Sequence, residues 1–371
     1  MGQYQVVWKG PVRRFGGIGT ASREYIRALR GQGVNTRVAN AKDRSSTVTK
    51  RRKILVYHFS PATLNLKIER SRYGRVIVNT VWETSRVPSR WVPKINGSDA
   101  VCVPSLQNKR AMRNSGVKVP VFVVPHGVNL KSFHPNNKKL SVQNTAGKFI
   151  FVSVFGFQHR KNPEALLRAY WEEFSASDNV HLVIKTSGYA PYENARWIHN
   201  RVKAYKKRLG IRKATAPVTI IANRLSPKQL RGIYTLGSAF VLPTRGEGFG
   251  LPFLESLASG TPVIATRWGG HMDFLNHRNA FLVSYTLRHP TALMNRSSSI
   301  SRQFRGLFSG KGQRWAEPNI NSLRRQMRIA YQNPRLCKAK GKQGRRDALQ
   351  HSWNQAGRSL KRAIETVIRT K

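Results

Sequence analysis

Residues 239–266, AFVLPTRGEGFGLPFLESLASGTPVIAT, constrain the fold more than any other part of this chain. Residues 239–244 read as a short buried strand and 245–252 as a loop. A helix is expected over 253–259, stopped by Gly260, and a second strand over 262–266. Strand, glycine-rich loop, helix and strand in that order make a unit of parallel α/β architecture.

The same unit limits its guest. Gly248 and Gly250 let the main chain come close to a ligand, while the helix start offers backbone N–H groups and a positive dipole end, a combination that suits an anion. Glu247 and Glu255 flank the turn, although the chain holds only 16 acidic residues against 66 basic ones. Carboxylates repel phosphate but accept hydrogen bonds from hydroxyls, so the expected guest carries both phosphate and sugar hydroxyls. On these residues alone, an ordinary βαβ turn with two solvated glutamates stays open.

The first strand, 4–8, runs into GPVRRFGGIGTASREYIRALRGQGV, where Gly16, Gly17 and Gly19 precede an amphipathic helix from about Ala21 to Arg30. ILVYHF, VIVNTVWE, AVCVPS and VFVVPHGV follow as short strands alternating with helices, a rhythm that predicts a doubly wound parallel sheet. Glu83 ends the second of these runs, where ligands of open α/β sheets bind; a structural carboxylate is the alternative. His126 lies in a turn between Pro125 and Gly127, and a structural or a catalytic hydrogen bond stays open for it. His58 reads as a structural residue at a strand end.

Residues 136–148 are polar and read as an interdomain linker. FIFVSVFGFQHRKNPEALLRAYWEEF then opens a second domain, with RKNP at a helix start. Residues 288–312 show no apolar period and are expected to form surface loops, whereas 321–333 and about 353–369 carry apolar residues at helical spacing. The division expected is 1–140, 141–330 and a C-terminal helical part, 331–371.

The net charge of +50 points to an anionic partner, because self-repulsion on this scale is eased by a polyanion; a solvated basic surface is the alternative. No apolar run approaches the roughly 20 residues of a membrane-spanning helix. The start MGQYQVVWKG lacks a signal-peptide pattern, so a cytoplasmic protein is expected, with peripheral association at a membrane surface open. Cys102 and Cys337 are too few for a disulfide framework or a zinc cluster. Asp43, Asp99, Asp178, Asp273 and Asp347 are scattered with no Asp-x-Asp, so no oxygen-rich metal site is expected, and no cofactor is expected either.

The EGFGLP run and its Glu-x7-Glu spacing resemble the signature of the family 4 (group 1) retaining glycosyltransferases, which have the GT-B fold. VWETSRVPSRWVPKINGSDAVCVPS, VVPHGVN and WGGHMDFL resemble stretches of the same family, so the resemblance covers nearly the whole chain. It implies two Rossmann-like doubly wound domains facing a central cleft, with the last helix crossing back to the first domain. It also implies that Glu247 contacts the donor sugar, Glu255 binds the nucleotide ribose, and the main chain of Gly248, Phe249, Gly250 and Leu251 holds the phosphates. Gly17 and Gly19 would approach the donor, and Lys161 would neutralise its diphosphate. The family's usual arginine five residues earlier is replaced by Gly156, which leaves Arg160 as the substitute; Arg224 and Arg245 are weaker candidates and Lys185 another basic group near base or phosphate. Glu83 and His126 would face the acceptor or the transferred sugar.

The activity implied is transfer of a sugar, with retention and without a metal, from a UDP- or GDP-linked donor to an acceptor hydroxyl. A membrane lipid or lipid-linked saccharide, an acidic polysaccharide and a modified DNA base, as in phage-type DNA glycosyltransferases, all stay open as acceptors. So does a catalytically inactive homologue that binds nucleic acid or another polyanion.

Overall fold

The computed structural model describes residues 4–39 and 49–370, and the chain divides into two compact units. One holds Met1–Gly127 with His351–Lys371, the other Val128–Gln350. Asp43 lies outside the described residues.

In the first unit, β1 (Gln5–Lys9), β2 (Asn35–Val38), β3 (Lys53–Tyr57), β4 (Arg75–Asn79), β5 (Ala100–Val103) and β6 (Val121–Val123) form one parallel sheet in the order β2-β1-β3-β4-β5-β6. Runs such as Ile54, Leu55, Val56 and Val76, Ile77, Val78 are buried throughout, as strands covered on both faces must be. The helix Trp353–Arg369 completes this unit against the helix Gly17–Gly31, where Gly357 leaves room for Ala28. Its first residue, Trp353, lies edge-on to Tyr25 with ring centroids 5.4 Å apart. Gly127 has no side chain because a Cβ there would stand 2.3 Å from the Trp353 nitrogen.

The second unit carries β7 (Phe149–Val154), β8 (Val180–Lys185), β9 (Val218–Ile221), β10 (Ala239–Leu242), β11 (Val263–Thr266) and β12 (Ala280–Val283) in the order β12-β11-β10-β7-β8-β9, again parallel. This is the Rossmann order, and it reverses between β7 and β10. Ligands of such sheets bind outside the carboxyl ends of the two strands at that reversal. A short antiparallel pair, β13 (Tyr285–Arg288) and β14 (Trp315–Pro318), stands apart from the sheet. The helix Pro334–Ala348 packs closely on the helix Leu251–Ala258: Gly344 faces Leu257, and a Cβ on Gly341 would lie 2.1 Å from the Gly260 carbonyl oxygen.

Several expectations are corrected. The units separate after Gly127, and residues 136–148 belong to the second unit. The Leu140 N–H donates to the Gly232 carbonyl at 2.9 Å, and Leu140 and Val142 pack on the core, so this polar segment is docked rather than linking. Of the C-terminal part, Pro334–Ala348 belongs to the second unit, whereas Trp353–Arg369 belongs to the first, in keeping with the expectation that the last helix returns to the first domain. The first helix begins at Gly17, so Gly17 and Gly19 sit in its opening turn; Gly16, at φ 95°, is its cap. The helix after the glycine-rich loop begins at Leu251, because Pro252 costs no hydrogen bond in a first turn. Residues 288–312 are not loose surface loops: Met294, Ile300 and Phe308 are buried, and three serines, Ser298, Ser299 and Ser301, are buried with them. Among the described residues no helix is long and apolar enough to cross a membrane.

Candidate functional site

The loops that leave β7 and β10 meet at the reversal of the second sheet. From β7 comes a short 3-10 turn, His159–Lys161, ended by Asn162 in the left-handed region (φ 58°), whose side chain caps the helix Pro163–Glu173 through the Ala165 N–H. From β10 comes the loop of Thr244 to Gly250. The two are bonded to each other: the Arg245 N–H donates to the Arg160 carbonyl at 2.8 Å, and the Arg160 side chain donates through Nη1 to the Gly246 carbonyl at 2.6 Å. Lys161 Nζ then donates to Glu247 Oε1, and Arg160 Nη1 lies 3.4 Å from the same oxygen.

Glu247 is only 5% exposed. Burial alone would raise its pKa, but the Lys161 ammonium and then the Arg160 guanidinium overrule it and hold the carboxyl below the usual range. His271 packs close by, its Nε2 donating to the Thr266 carbonyl at 2.8 Å, and burial lowers the ring's pKa. The Gly270 N–H donates to the Glu247 carbonyl at 2.7 Å, so the loop after β11 also fixes this residue.

Gly248, Phe249 and Gly250 lead into the helix Leu251–Ala258. Gly250 caps it at φ 93°, where a side chain would be strained and would meet the Phe253 ring at 2.6 Å. Phe249 points into the core against Phe274, with centroids 5.1 Å apart, so only its main chain is placed to serve a ligand. One turn into the helix, Glu255 Oε2 accepts from Tyr234 Oη at 2.6 Å. Burial pushes this carboxyl up to about 7, with the Tyr234 hydrogen bond working in the opposite sense.

The other basic candidates are differently engaged. Arg245 is 4% exposed and forms a two-pronged pair with Glu317, Nε to Oε2 at 2.6 Å and Nη2 to Oε1 at 3.0 Å. Lys185 Nζ donates to the Thr186 carbonyl at 2.7 Å, and Arg224 is exposed.

The remaining predicted residues belong to the first unit. Gly19 has a local structural reason, since a Cβ would stand 1.9 Å from the Arg14 carbonyl oxygen of the loop folded over the helix start. Glu83 does not end a strand: β4 stops at Asn79, and Glu83 lies half-buried in the loop beyond. That loop is held by Asn108, whose Oδ1 accepts from the Trp82 N–H at 2.6 Å and whose Nδ2 donates to the Trp82 carbonyl at 2.8 Å. His126 is buried 3.0 Å from Tyr25 Oη, beside the Trp353 ring, and burial lowers its pKa to about 3. His58, buried at the end of β3 with Nδ1 2.8 Å from Ser22 Oγ, is lowered to about 3 in the same way. Cys102 and Cys337 are buried free thiols. Among the described residues no three His, Cys, Asp or Glu side chains gather as a metal site.

Tyr234 and the Arg245–Glu317 pair were not singled out from sequence as parts of this site. The pattern NRLSPKQLRGIYTLG marks a helix but does not say which face meets Glu255, and Glu317 is too distant in sequence for its partner to be read.

Residues 146–300 match the family described as "Glycosyl transferases group 1". Among relatives, a D-inositol 3-phosphate glycosyltransferase of Corynebacterium jeikeium is 31% identical over 156 residues, 40% of this chain and 36% of the relative. An alpha-monoglucosyldiacylglycerol synthase of Streptococcus pneumoniae is 30% identical over 177 residues, 45% of this chain and 37% of the relative. The matches thus span little more than a third of these relatives' length. Among solved structures, sucrose-phosphate synthase from Thermosynechococcus elongatus superposes with a TM-score of 0.70 at 16% identity, covering 100% of both chains. HepE from Anabaena, solved in complex with UDP and glucose, gives 0.68 at 11% identity, covering 98% of this chain and 100% of its own. The fold is GT-B, an α/β architecture of two Rossmann-like domains.

Proposed function

We propose that the protein is a glycosyltransferase that takes a sugar from a nucleotide-sugar donor held in the second unit. The observation that carries this reading is the buried pairing of Lys161 and Arg160 with Glu247 at the carboxyl ends of β7 and β10. A diphosphate needs cations, a sugar ring needs hydroxyl acceptors, and both are assembled where a Rossmann sheet binds its ligand.

In this reading Lys161 and Arg160 meet the charge that develops on the departing diphosphate, together with main-chain N–H groups from Gly248 to Leu251 at the helix start. Glu247 orients the sugar through its hydroxyls, and Glu255 accepts from the ribose. Gly17 and Gly19 approach the donor, while Glu83 and His126 face the acceptor; His126, held neutral by burial, would act there as a hydrogen-bonding group. Transfer proceeds with retention, by attack on the face the diphosphate leaves, and the cationic side chains serve in place of a metal or cofactor. The +50 charge and the glycolipid-forming relative favour an anionic acceptor or carrier, with a membrane surface as the first choice of location.

The test is a panel of UDP- and GDP-sugars incubated with the protein and followed by mass spectrometry, with NMR of the product's anomeric centre. Release of nucleotide diphosphate from one donor, undiminished by a chelator and with the donor's configuration kept, is expected. Tight salt-sensitive polyanion binding without turnover of any donor would instead favour the inactive homologue. Sugar appearing on DNA would identify the DNA-modifying alternative.

Glu255 gives this reading a pH dependence. Its folded pKa, about 7, lies above the ordinary carboxyl value, so its proton supports the fold at low pH and that contribution is lost as pH rises through about 7. Ribose binding runs the other way, because two hydroxyl donors are best met by the ionised carboxylate. Affinity for an intact nucleotide sugar should rise about tenfold between about pH 6 and about pH 8. Calorimetric titration checks this, and the Glu255→Gln variant should show a flat profile. An equal pH response in both proteins would remove Glu255 from the ribose site.

A further inference from the structure

The site's two arms are both tied to the segment 285–318, which the sequence presents as polar connection. The arm carrying Lys161 is paired to it through the main chain: the His159 N–H donates to the Ile300 carbonyl and the Ile300 N–H to the Phe157 carbonyl, each at 2.9 Å. A carboxylate fastens the same arm. Glu164, in the first turn of the helix that follows Lys161, directs Oε1 at Ser297 Oγ (2.6 Å), the Ser298 N–H (2.9 Å), the Ser299 N–H (3.0 Å) and Ser299 Oγ (2.9 Å).

The arm carrying Glu247 is fastened in the same two ways. The Ala316 N–H of β14 donates to the Arg245 carbonyl at 2.9 Å, and Glu317 grips the Arg245 guanidinium with both oxygens. Arg245 Nη1 also donates to the His159 carbonyl, so the grip reaches back to the first arm. Each arm thus has one main-chain attachment and one carboxylate attachment to a single segment. A fork-to-fork pair fixes orientation as well as distance, and a carboxylate with four donors has little freedom to turn.

We propose that residues 285–318 act as a brace that sets the separation of Lys161 and Glu247, with Glu317 and Glu164 as positioning residues. The inference rests on the glycosyl-transfer reading of that pair and adds to it the element that holds the pair in register. Neither Glu317 nor Glu164 is assigned a contact with donor or acceptor. Their effect is exerted through Arg245 and through the helix start beyond Lys161.

Glu317→Gln, Arg245→Lys and Glu164→Gln, each in the full chain, test it. Displacement of a catalytic group by about an ångström can cost about 100-fold in rate, and a fall of that order in kcat is expected, with the donor KM changed by less than about threefold. Arg245→Lys keeps the charge but loses the fork, so it should fall with Glu317→Gln, and the double variant should be little worse than either single one. Hydrogen exchange provides a readout independent of turnover: the Arg245 and Ala316 N–H groups should exchange faster in Glu317→Gln at temperatures where the variant stays folded. If Glu317→Gln does not fold, Ser297→Ala with Ser299→Ala loosens the other attachment and keeps its main-chain donors.

Unchanged kcat in folded variants, or unchanged exchange at Arg245 and Ala316, would overturn the brace. If the wild-type protein turns over no donor, the glycosyl-transfer reading fails, and the exchange measurement still decides whether the segment holds the two arms.

Discussion

Glu247→Gln is expected to lower glycosyl transfer by about 100- to 1,000-fold, because it both weakens the hold on the sugar hydroxyls and upsets the preorganised charges of Lys161 and Arg160. Glutamine keeps the shape and one acceptor oxygen but not the charge. Lys161 and Arg160 would then be left as two cations around a neutral amide, with little water to screen them. Breaking a buried pair by removing one partner costs about 3 kcal/mol or more, so the thermal midpoint should fall as well. The two effects separate by temperature: turnover measured well below the midpoint reports the site, and the melting curve reports the pair. Because Glu247 is held ionised by its cations, the stability that depends on it is present above the ordinary carboxyl range and lost as pH falls through its lowered pKa. A variant that melts early but retains full turnover would confine Glu247 to structure.

Trp353→Ala should destabilise the first unit by about 3–5 kcal/mol, as for other buried tryptophans cut to alanine. Trp353 opens the C-terminal helix, is 8% exposed, and meets both Tyr25 and His126. The cavity would adjoin Gly127, which has no side chain to fill it, so collapse offers little relief. Chemical denaturation followed by tryptophan fluorescence and circular dichroism checks this, with an early transition assigned to the first unit. A loss below about 1 kcal/mol would mean that the helix is held chiefly by its other contacts with Gly17–Gly31.

The alternation of apolar runs and helices made the doubly wound parallel sheet legible in the sequence, because parallel strands buried on both faces are written as short uninterrupted Val, Ile and Leu runs; the GT-B arrangement came from the resemblance. The resemblance singled out Glu247, Lys161 and Arg160, and the topology explains why residues so far apart in the chain meet. What was not legible depends on partners. Arg245 was named only as a weaker candidate for the donor's charge, and its partner Glu317 is 72 residues away. Glu164 and Ser297 are 133 residues apart. The serines of residues 288–312 made that segment look like surface, yet a hydrogen-bonded serine can be buried: Ser297 to Ser299 bond the Glu164 carboxylate, and Ser301 donates to the Met294 carbonyl. Residues 136–148 misled in the same way, since polarity there concealed Leu140 and its bond to Gly232. His126 could be read two ways in sequence because nothing local told that Tyr25 and Trp353 would enclose it.

Turnover of nucleotide sugars by the wild-type chain and by Lys161→Ala, compared side by side, tests the central claim most directly. The wild-type protein should release nucleotide diphosphate from at least one UDP- or GDP-sugar, and Lys161→Ala should do so at least about 100-fold more slowly while remaining folded. Equal rates in the two proteins, or no release from any donor by the wild type, would contradict the account.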